Sequence, residues 1–380
     1  MRPEEKLVCV LAKASLEPRD ADVLRELCRN SIDWDYVLAF SQKHGVAAFV
    51  HHHRDAVPCW DAIPARVHDA LRQIYYHNSL RNTLVSEQAK ELLGRLQQED
   101  IPAIILKGIF LAEHVYGNIA LKQISDIDLL VRPEYVCRVD RILVEAGFAQ
   151  PPYFRDFFDR SERSPLNSLV YNNPAKRFFV HVHAHMVNCT WPLNYWVEQL
   201  DMERVWSAAA PLPGTNQRNW AVLPEHLVIY LSLHGFTHGF DRLSLFSDIA
   251  QTMRYYAAQI DGERLWQEAK RFQLEFIVWY SLWVTARMLG VEIPRHWGKI
   301  PAAYARLVPW VARGRGYAAH YLVYVYLQKG LRRKGRFLYD TFVPQRFVLA
   351  QNLGMPLSRI TGWHYIRRIW ENRGNVFLSG

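Results

Sequence analysis

Two aspartates one residue apart stand in the run Ser125-Asp126-Ile127-Asp128-Leu129-Leu130-Val131. On a β-strand alternate side chains share a face, so Asp126 and Asp128 project together while Ile127, Leu129 and Val131 pack behind them. Adjacent carboxylates repel, and a cation between them relieves the repulsion. Mg²⁺ suits such a pair because it is hard, favours oxygen and shares its shell with phosphate; Mn²⁺ is the alternative. Ions held this way activate an acceptor oxygen and stabilise a leaving pyrophosphate. By itself the pair could equally be a polar strand end, so its setting carries the weight. Residues 103–106 form a short apolar run, the pattern of a buried strand. Lys107-Gly108 follows, and then a helix-like stretch to about Tyr116, whose first amides would face the site and suit phosphate.

Other side chains with chemistry lie downstream. Residues 177–187 read as a third strand, and His181, His183 and His185 alternate along it onto one face. His234 and His238 lie one helical turn apart, followed by Arg242 and Asp248. Gly-Phe-Thr between those two histidines excludes a metalloprotease HExxH. Core packing or a supporting role is as good a reading of them as direct ligation. Arg242 is placed to contact a phosphate or to pair with Asp248. There is no Walker loop, no GxGxxG after a strand and no GxSxG.

The elements needed to hold these residues are mostly helical. Before about Asp100, apolar residues recur at helical spacing (Leu24, Leu27, Trp34, Val37, Leu38; then Leu84, Val85, Leu92, Leu93, Leu96), interrupted near Pro58 and Pro64. Pro133 opens a further helix, with Val136, Val139, Leu143 and Ala146 on one face and Gly147 at its end. The stretch after Pro151 is irregular and charged. From Pro224 the chain is again helical. The pattern predicts an α+β fold, an α/β core with a short mixed sheet set among helices. The expected divisions are a helical region 1–99, a core 100–215, a helical region 216–310 packed on that core and a basic helical region 311–380.

The formal charge of +9 is concentrated. Residues 311–380 hold twelve Lys and Arg against Asp340 and Glu371, and the remainder is near neutral. A basic region of this kind serves nucleic acid, a membrane surface or an acidic partner, or is simply a solvated helix face. Five cysteines without CxxC or zinc spacing point to a reducing compartment and away from a disulfide framework or structural zinc. The first residues carry acids and lack the apolar run of a secretory signal. The longest apolar stretch, 276–286, is too short to span a membrane. A cytoplasmic protein without a membrane span is therefore expected.

LKGIFLAEHVYGN followed by KQISDIDLLV resembles an uncharacterised nucleotidyltransferase family of bacterial proteins within the DNA polymerase beta superfamily. The likeness extends to Asp33-Trp34 with Lys43-His44-Gly45-Val46, and to the run from Leu233 to Gly239 with Arg242-Leu243 and Asp248-Ile249, covering about 30–255. The resemblance implies transfer of a nucleoside monophosphate from an NTP to an acceptor, whether small molecule, peptide or RNA. It implies Asp126 and Asp128 as metal ligands, and Lys107, Gly108, Ser125 and Lys122 at the triphosphate. His234, His238 and Arg242 would face the same site. The sequence departs from the superfamily in three places. Lys-Gly replaces a Gly-Ser or Gly-Gly turn, and Lys122 stands where an Arg is common. His181 takes the place of the third carboxylate, which helps deprotonate the acceptor, and His183 takes the family's His. Three functional readings stay open: His181 and His183 as base or ligand in a working site, a transition-metal site, or a site that binds nucleotide without turnover. Polar residues on a solvent-facing strand are the bland alternative. Asp156, Asp159 and Glu162 are the nearby carboxylates.

Overall fold

The computed structural model describes residues 1–151, 167–175, 178–189, 193–211, 219–293, 317–353 and 355–367. Five helices lead in: α1 (Pro3–Leu11), α2 (Pro18–Leu27), α3 (Trp34–Lys43), α4 (Ala47–His52) and the 34-residue α5 (Ala65–Gln98). The strands are β1 (Ala103–Ile105), β2 (Asp126–Val131), β3 (Ser168–Asn173), β4 (Phe178–His183), β5 (Ala210–Pro211) and β6 (Asn219–Ala221). Among and after them come α6 (Val136–Glu145), α7 (Asn194–Val197), α8 (Met202–Ala208), α9 (Pro224–Thr237), α10 (Leu243–Tyr255), α11 (Gly262–Arg271) and α12 (Glu275–Leu289). The described chain closes with α13 (Tyr317–Leu327), α14 (Leu331–Phe342) and α15 (Arg346–Leu353). The architecture is α+β, as the pattern predicts.

One mixed sheet runs in the order β3-β4-β2-β1-β6-β5. β1 is antiparallel to β2, β4 is parallel to β2, and β3 folds back antiparallel on β4. The two-residue alternation of β2 divides the interior. Ile127, Leu129 and Val131 enter a core with Leu92 and Leu96 of α5 and Val139 and Leu143 of α6. Leu130 enters a second core, with α1 to α4 on one side and α9 to α12 on the other. Asp126 and Asp128 share Leu130's face. The sheet therefore has a helix layer on both sides, and the aspartates face the layer that holds α9 and α10.

Several sequence expectations are revised. The stretch after Gly108 is not an ordinary helix; Leu111–Val115 is a π-helix, closed by Tyr116 N donating to Leu111 O at 2.8 Å. The wider turn lets Ile109, Phe110, Leu111, Ala112, Val115 and Tyr116 all be buried. So short an element gives no dipole argument for phosphate. β4 ends at His183, and His185 turns away. Its ring accepts from Val187 N at 2.9 Å and lies 3.2 Å from Leu200 O, which uses both nitrogens on backbone. Part of the charged stretch after Pro151 is β3, whose Leu169 and Tyr171 are buried. Leu84 lies on the exposed side of α5. Cys28 and Cys59 are joined by a disulfide across 31 residues, which the expectation of a reducing compartment without a disulfide framework did not foresee, because the fold brings the end of α2 beside the loop before α5. Asp156, Asp159, Glu162 and the expected strand start at Arg177 lie outside the described residues.

Candidate functional site

The parallel pairing of β2 and β4 sets Asp128 opposite His181 and Leu130 opposite His183. Asp128 is fully buried, while Asp126 at the strand's start is partly open. His183 Nε2 lies 3.0 Å from Asp128 Oδ1, and His181 Nδ1 lies 3.7 Å from the same oxygen. The far nitrogen of His181, Nε2, hydrogen-bonds Ser168 Oγ of β3, which turns Nδ1 toward the aspartate. The two imidazoles are 4.0 Å apart. Asp128 Oδ2 has no hydrogen bond but sits 2.8 Å from Lys107 Nζ, which is also 3.9 Å from Asp126 Oδ2. Ser125 Oγ donates to Asp126 Oδ1 at 3.0 Å.

Burial would raise the carboxyl of Asp128, but the Lys107 ammonium and the His183 contact outweigh it and hold the group far below the usual carboxylate range. Burial likewise opposes charge on Lys107, and Asp128 overcomes it, so the ammonium is held well above its ordinary value. His181 is pushed down to about 3 by burial and then by His183. It is neutral near pH 7 and a weak base there, better suited to offering a nitrogen lone pair than to storing a proton.

Lys107 is brought here by the turn at Gly108. That residue has φ +60°, and a Cβ on it would meet the Asp126 carbonyl oxygen at 3.3 Å. Only glycine takes this conformation without strain while letting the β1 turn lie against β2. On the opposite wall, α9 supplies Tyr230 and His234, and His238 follows as the residue capping its C-terminus. The rings of His234 and His238 are 4.6 Å apart. His234 is held well below its ordinary value by burial and then by Lys107. The glycine between them, Gly235, faces the ring of Phe240, which an added Cβ would meet at 2.5 Å.

Lys107, Gly108, Lys122, Ser125, Asp126, Asp128, His181, His183, His234, His238 and Arg242 all line one cavity of about 560 Å³. His185 is not among the lining residues, and Asp156, Asp159 and Glu162 lie outside the described residues; the volume is that of a small-molecule site. Two of the lining residues are disposed differently from the expectation. The ammonium of Lys122 is taken by both oxygens of Asp248, at 2.7 and 2.8 Å, and Tyr116 donates to the same carboxylate at 2.9 Å. Arg242 is therefore not the partner of Asp248; it lies 3.9 Å from Asp241 and is exposed. Sequence reading missed Ser168, whose strand carries no clear periodicity, and Tyr230, which is indistinguishable from the apolar run around it. A side pocket shares Lys122, Gln123, Ser125 and Arg242 with the main cavity and extends to Gly45 and Phe49.

A family model described as an uncharacterised nucleotidyltransferase matches residues 30–290, from α3 through the sheet to α12. No curated protein and no solved structure matches the chain. The family match takes in β1, β2 and β4, the Lys107-Gly108 turn and α9, and covers well over half of the 380 residues, so the chain belongs to this nucleotidyltransferase family.

Proposed function

We propose that the protein moves a nucleoside monophosphate from an NTP to a hydroxyl-type acceptor and releases pyrophosphate, using a divalent ion at Asp126 and Asp128. The observation that carries this is the Asp128 carboxylate, sealed beneath the cavity with one oxygen free of hydrogen bonds and facing a lysine ammonium. A buried charge held by one flexible cation and one imidazole is a place a metal can take over. The donor set fits: Asp128, His181 and His183 each offer a ligand atom within 4.8 Å of the others, and Asp126 is the second carboxylate lining the same cavity. Oxygen donors suit Mg²⁺, and the added imidazoles favour Mn²⁺.

When bound, the ion supplies charge neutralisation at the phosphates and lowers the pKa of an acceptor oxygen. The chain's own residues do the positioning. With an ion at the aspartates, Lys107 would be freed from Asp128 to reach the triphosphate, and Gly108 would let the backbone come close to it. Ser125 orients Asp126. His181, locked by Ser168, and His183 hold the acceptor side of the site. Arg242, His234 and His238 line the opposite wall for the nucleotide. Lys122, committed to Asp248, acts mainly by tying α10 to the loop before β2. The acceptor hydroxyl gives its proton to His183, its oxygen attacks the α-phosphorus, the bond to the bridging oxygen of the β-phosphate breaks, and pyrophosphate leaves with that electron pair. In-line alignment and charge stabilisation supply most of the rate in such transfers. The fourfold division of the chain at 99, 215 and 310 belongs to the same proposal, with β6 as a sheet strand contributed from beyond 215.

A second reading, nucleotide binding without turnover, is favoured by one observation: among the described residues β4 carries no carboxylate, only His181 and His183. The two separate with NTP labelled at the α- or γ-phosphate, incubated with Mn²⁺ and a cell extract. Acceptor labelling from the α position alone, lost in Asp128→Asn, supports transfer. Tight NTP binding with no labelled product supports the second reading.

A further inference from the structure

The C-terminal region presents a surface that the proposed reaction does not use. α14 is fixed in rotation by two inward residues. Phe337 packs 5.2 Å from the Tyr195 ring and 6.2 Å from the Tyr324 ring. Asp340 accepts from Tyr195 Oη at 2.8 Å and from Arg336 at 3.0 Å. At 100° per residue, Leu331, Leu338 and Phe342 then fall on the opposite side of the helix. They are 88, 47 and 50 % exposed. Tyr339 is exposed beside them. Arg332 and Arg336 flank this stripe on one edge and Lys334 on the other. Lys334 Nζ stands 5.7 Å over the Tyr326 ring, and Tyr326 and Leu322 are themselves exposed, so the apolar surface continues onto α13.

A solvated helix turns its polar face outward. Here the outward centre is aliphatic and aromatic, the rim is cationic, and the one acid of α14 is turned inward. We propose that the α13–α14 hairpin rests on the surface of an anionic phospholipid bilayer. Leu331, Leu338 and Phe342 enter the acyl boundary, and Arg332 and Lys334 meet lipid phosphates. No helix among the described residues is long and apolar enough to cross a membrane, and an interfacial helix needs no such length. Charge complementarity selects this occupant. A second copy docked by the same face would set like charges against like, since Asp340 is buried. A nucleic acid would leave the leucines without a counterpart, because its contacts are phosphate-led.

The test is co-flotation of the full chain with mixed phosphatidylcholine–phosphatidylglycerol vesicles and with phosphatidylcholine alone. Flotation is expected with the anionic vesicles only. Leu331→Glu/Leu338→Glu should reduce it about tenfold or more, and Arg332→Gln/Lys334→Gln by several-fold, with unchanged melting temperatures. The second pair keeps the test decisive if the first fails to fold. No flotation, or flotation indifferent to both pairs, overturns the proposal. So does light scattering that shows a dimer dissolved by the same substitutions, or RNA binding lost with them.

Discussion

In metal-free buffer Lys107→Met should destabilise the protein by about 3 kcal/mol, and Mn²⁺ should recover most of that loss. Lys107 Nζ lies 2.8 Å from Oδ2 of a carboxylate with no solvent exposure. At an effective dielectric of about 20 the attraction at that distance is about 6 kcal/mol. Removing one partner of a buried pair leaves about 3–5 kcal/mol of uncompensated charge. The loss has a ceiling, because the stranded carboxyl can take a proton instead, at about 4 kcal/mol near pH 7. The His183 contact at 3.0 Å remains and brings the figure to the lower end. Methionine keeps the length and apolar stem of the side chain, so the effect reads charge and not a cavity. If a divalent ion takes the ammonium's place, its stabilisation of the variant is about 2.7 kcal/mol at a hundredfold excess over Kd. In the wild type the same ion must first displace Lys107, so the gain is smaller. Urea unfolding of both proteins, with EDTA and then with Mn²⁺, measures the four stabilities. Equal stability without metal, or equal stabilisation of both by Mn²⁺, would mean that Lys107 does not hold the place of an ion.

Gly108→Ala should cost about 1–2 kcal/mol for its left-handed backbone and weaken NTP binding, because the new methyl presses on the Asp126 carbonyl; denaturant melts and calorimetry read both effects. Asp248→Ala strands Lys122 and the Tyr116 hydroxyl together and should cost about 3 kcal/mol, whereas Asp248→Asn, which still accepts from Tyr116, should cost less; urea melts of the two variants read the difference. Burial, and then Arg54, pushes His51 down to about 4 from 6.5. A histidine with a lowered folded-state pKa favours folding fully above 6.5, and that contribution is lost as pH falls toward 4, here at most about 3 kcal/mol. His51→Phe should therefore flatten the acid limb of a stability–pH curve, and an unchanged limb would count against the burial argument.

The legible part of the fold was the part written in short-range periodicity. Ile127, Leu129 and Val131 alternate with polar and apolar partners, and that alternation placed both aspartates on one face, as β2 holds them. Pro224 marked the start of α9 by occupying its first turn. What stayed hidden depends on pairings between distant segments. Lys122 and Asp248 are 126 residues apart, and no local pattern joins them. Ser168 orients His181 only because β3 folds back on β4. His185 continues the alternation of His181 and His183, but the chain turns where Val187 donates to its ring, so the period outran the strand. Cys28 and Cys59 meet for a tertiary reason of the same kind.

The central claim is a nucleotide site built on two aspartates and a metal ion. Calorimetric titration of the four NTPs, with Mg²⁺ and then Mn²⁺, into wild type and an Asp126→Asn/Asp128→Asn variant tests it most directly. Metal-dependent binding is expected in the wild type, tighter with Mn²⁺, and absent in a variant that melts as a folded protein. Binding that survives the double substitution, or a wild type that takes up none of the four, would contradict the account.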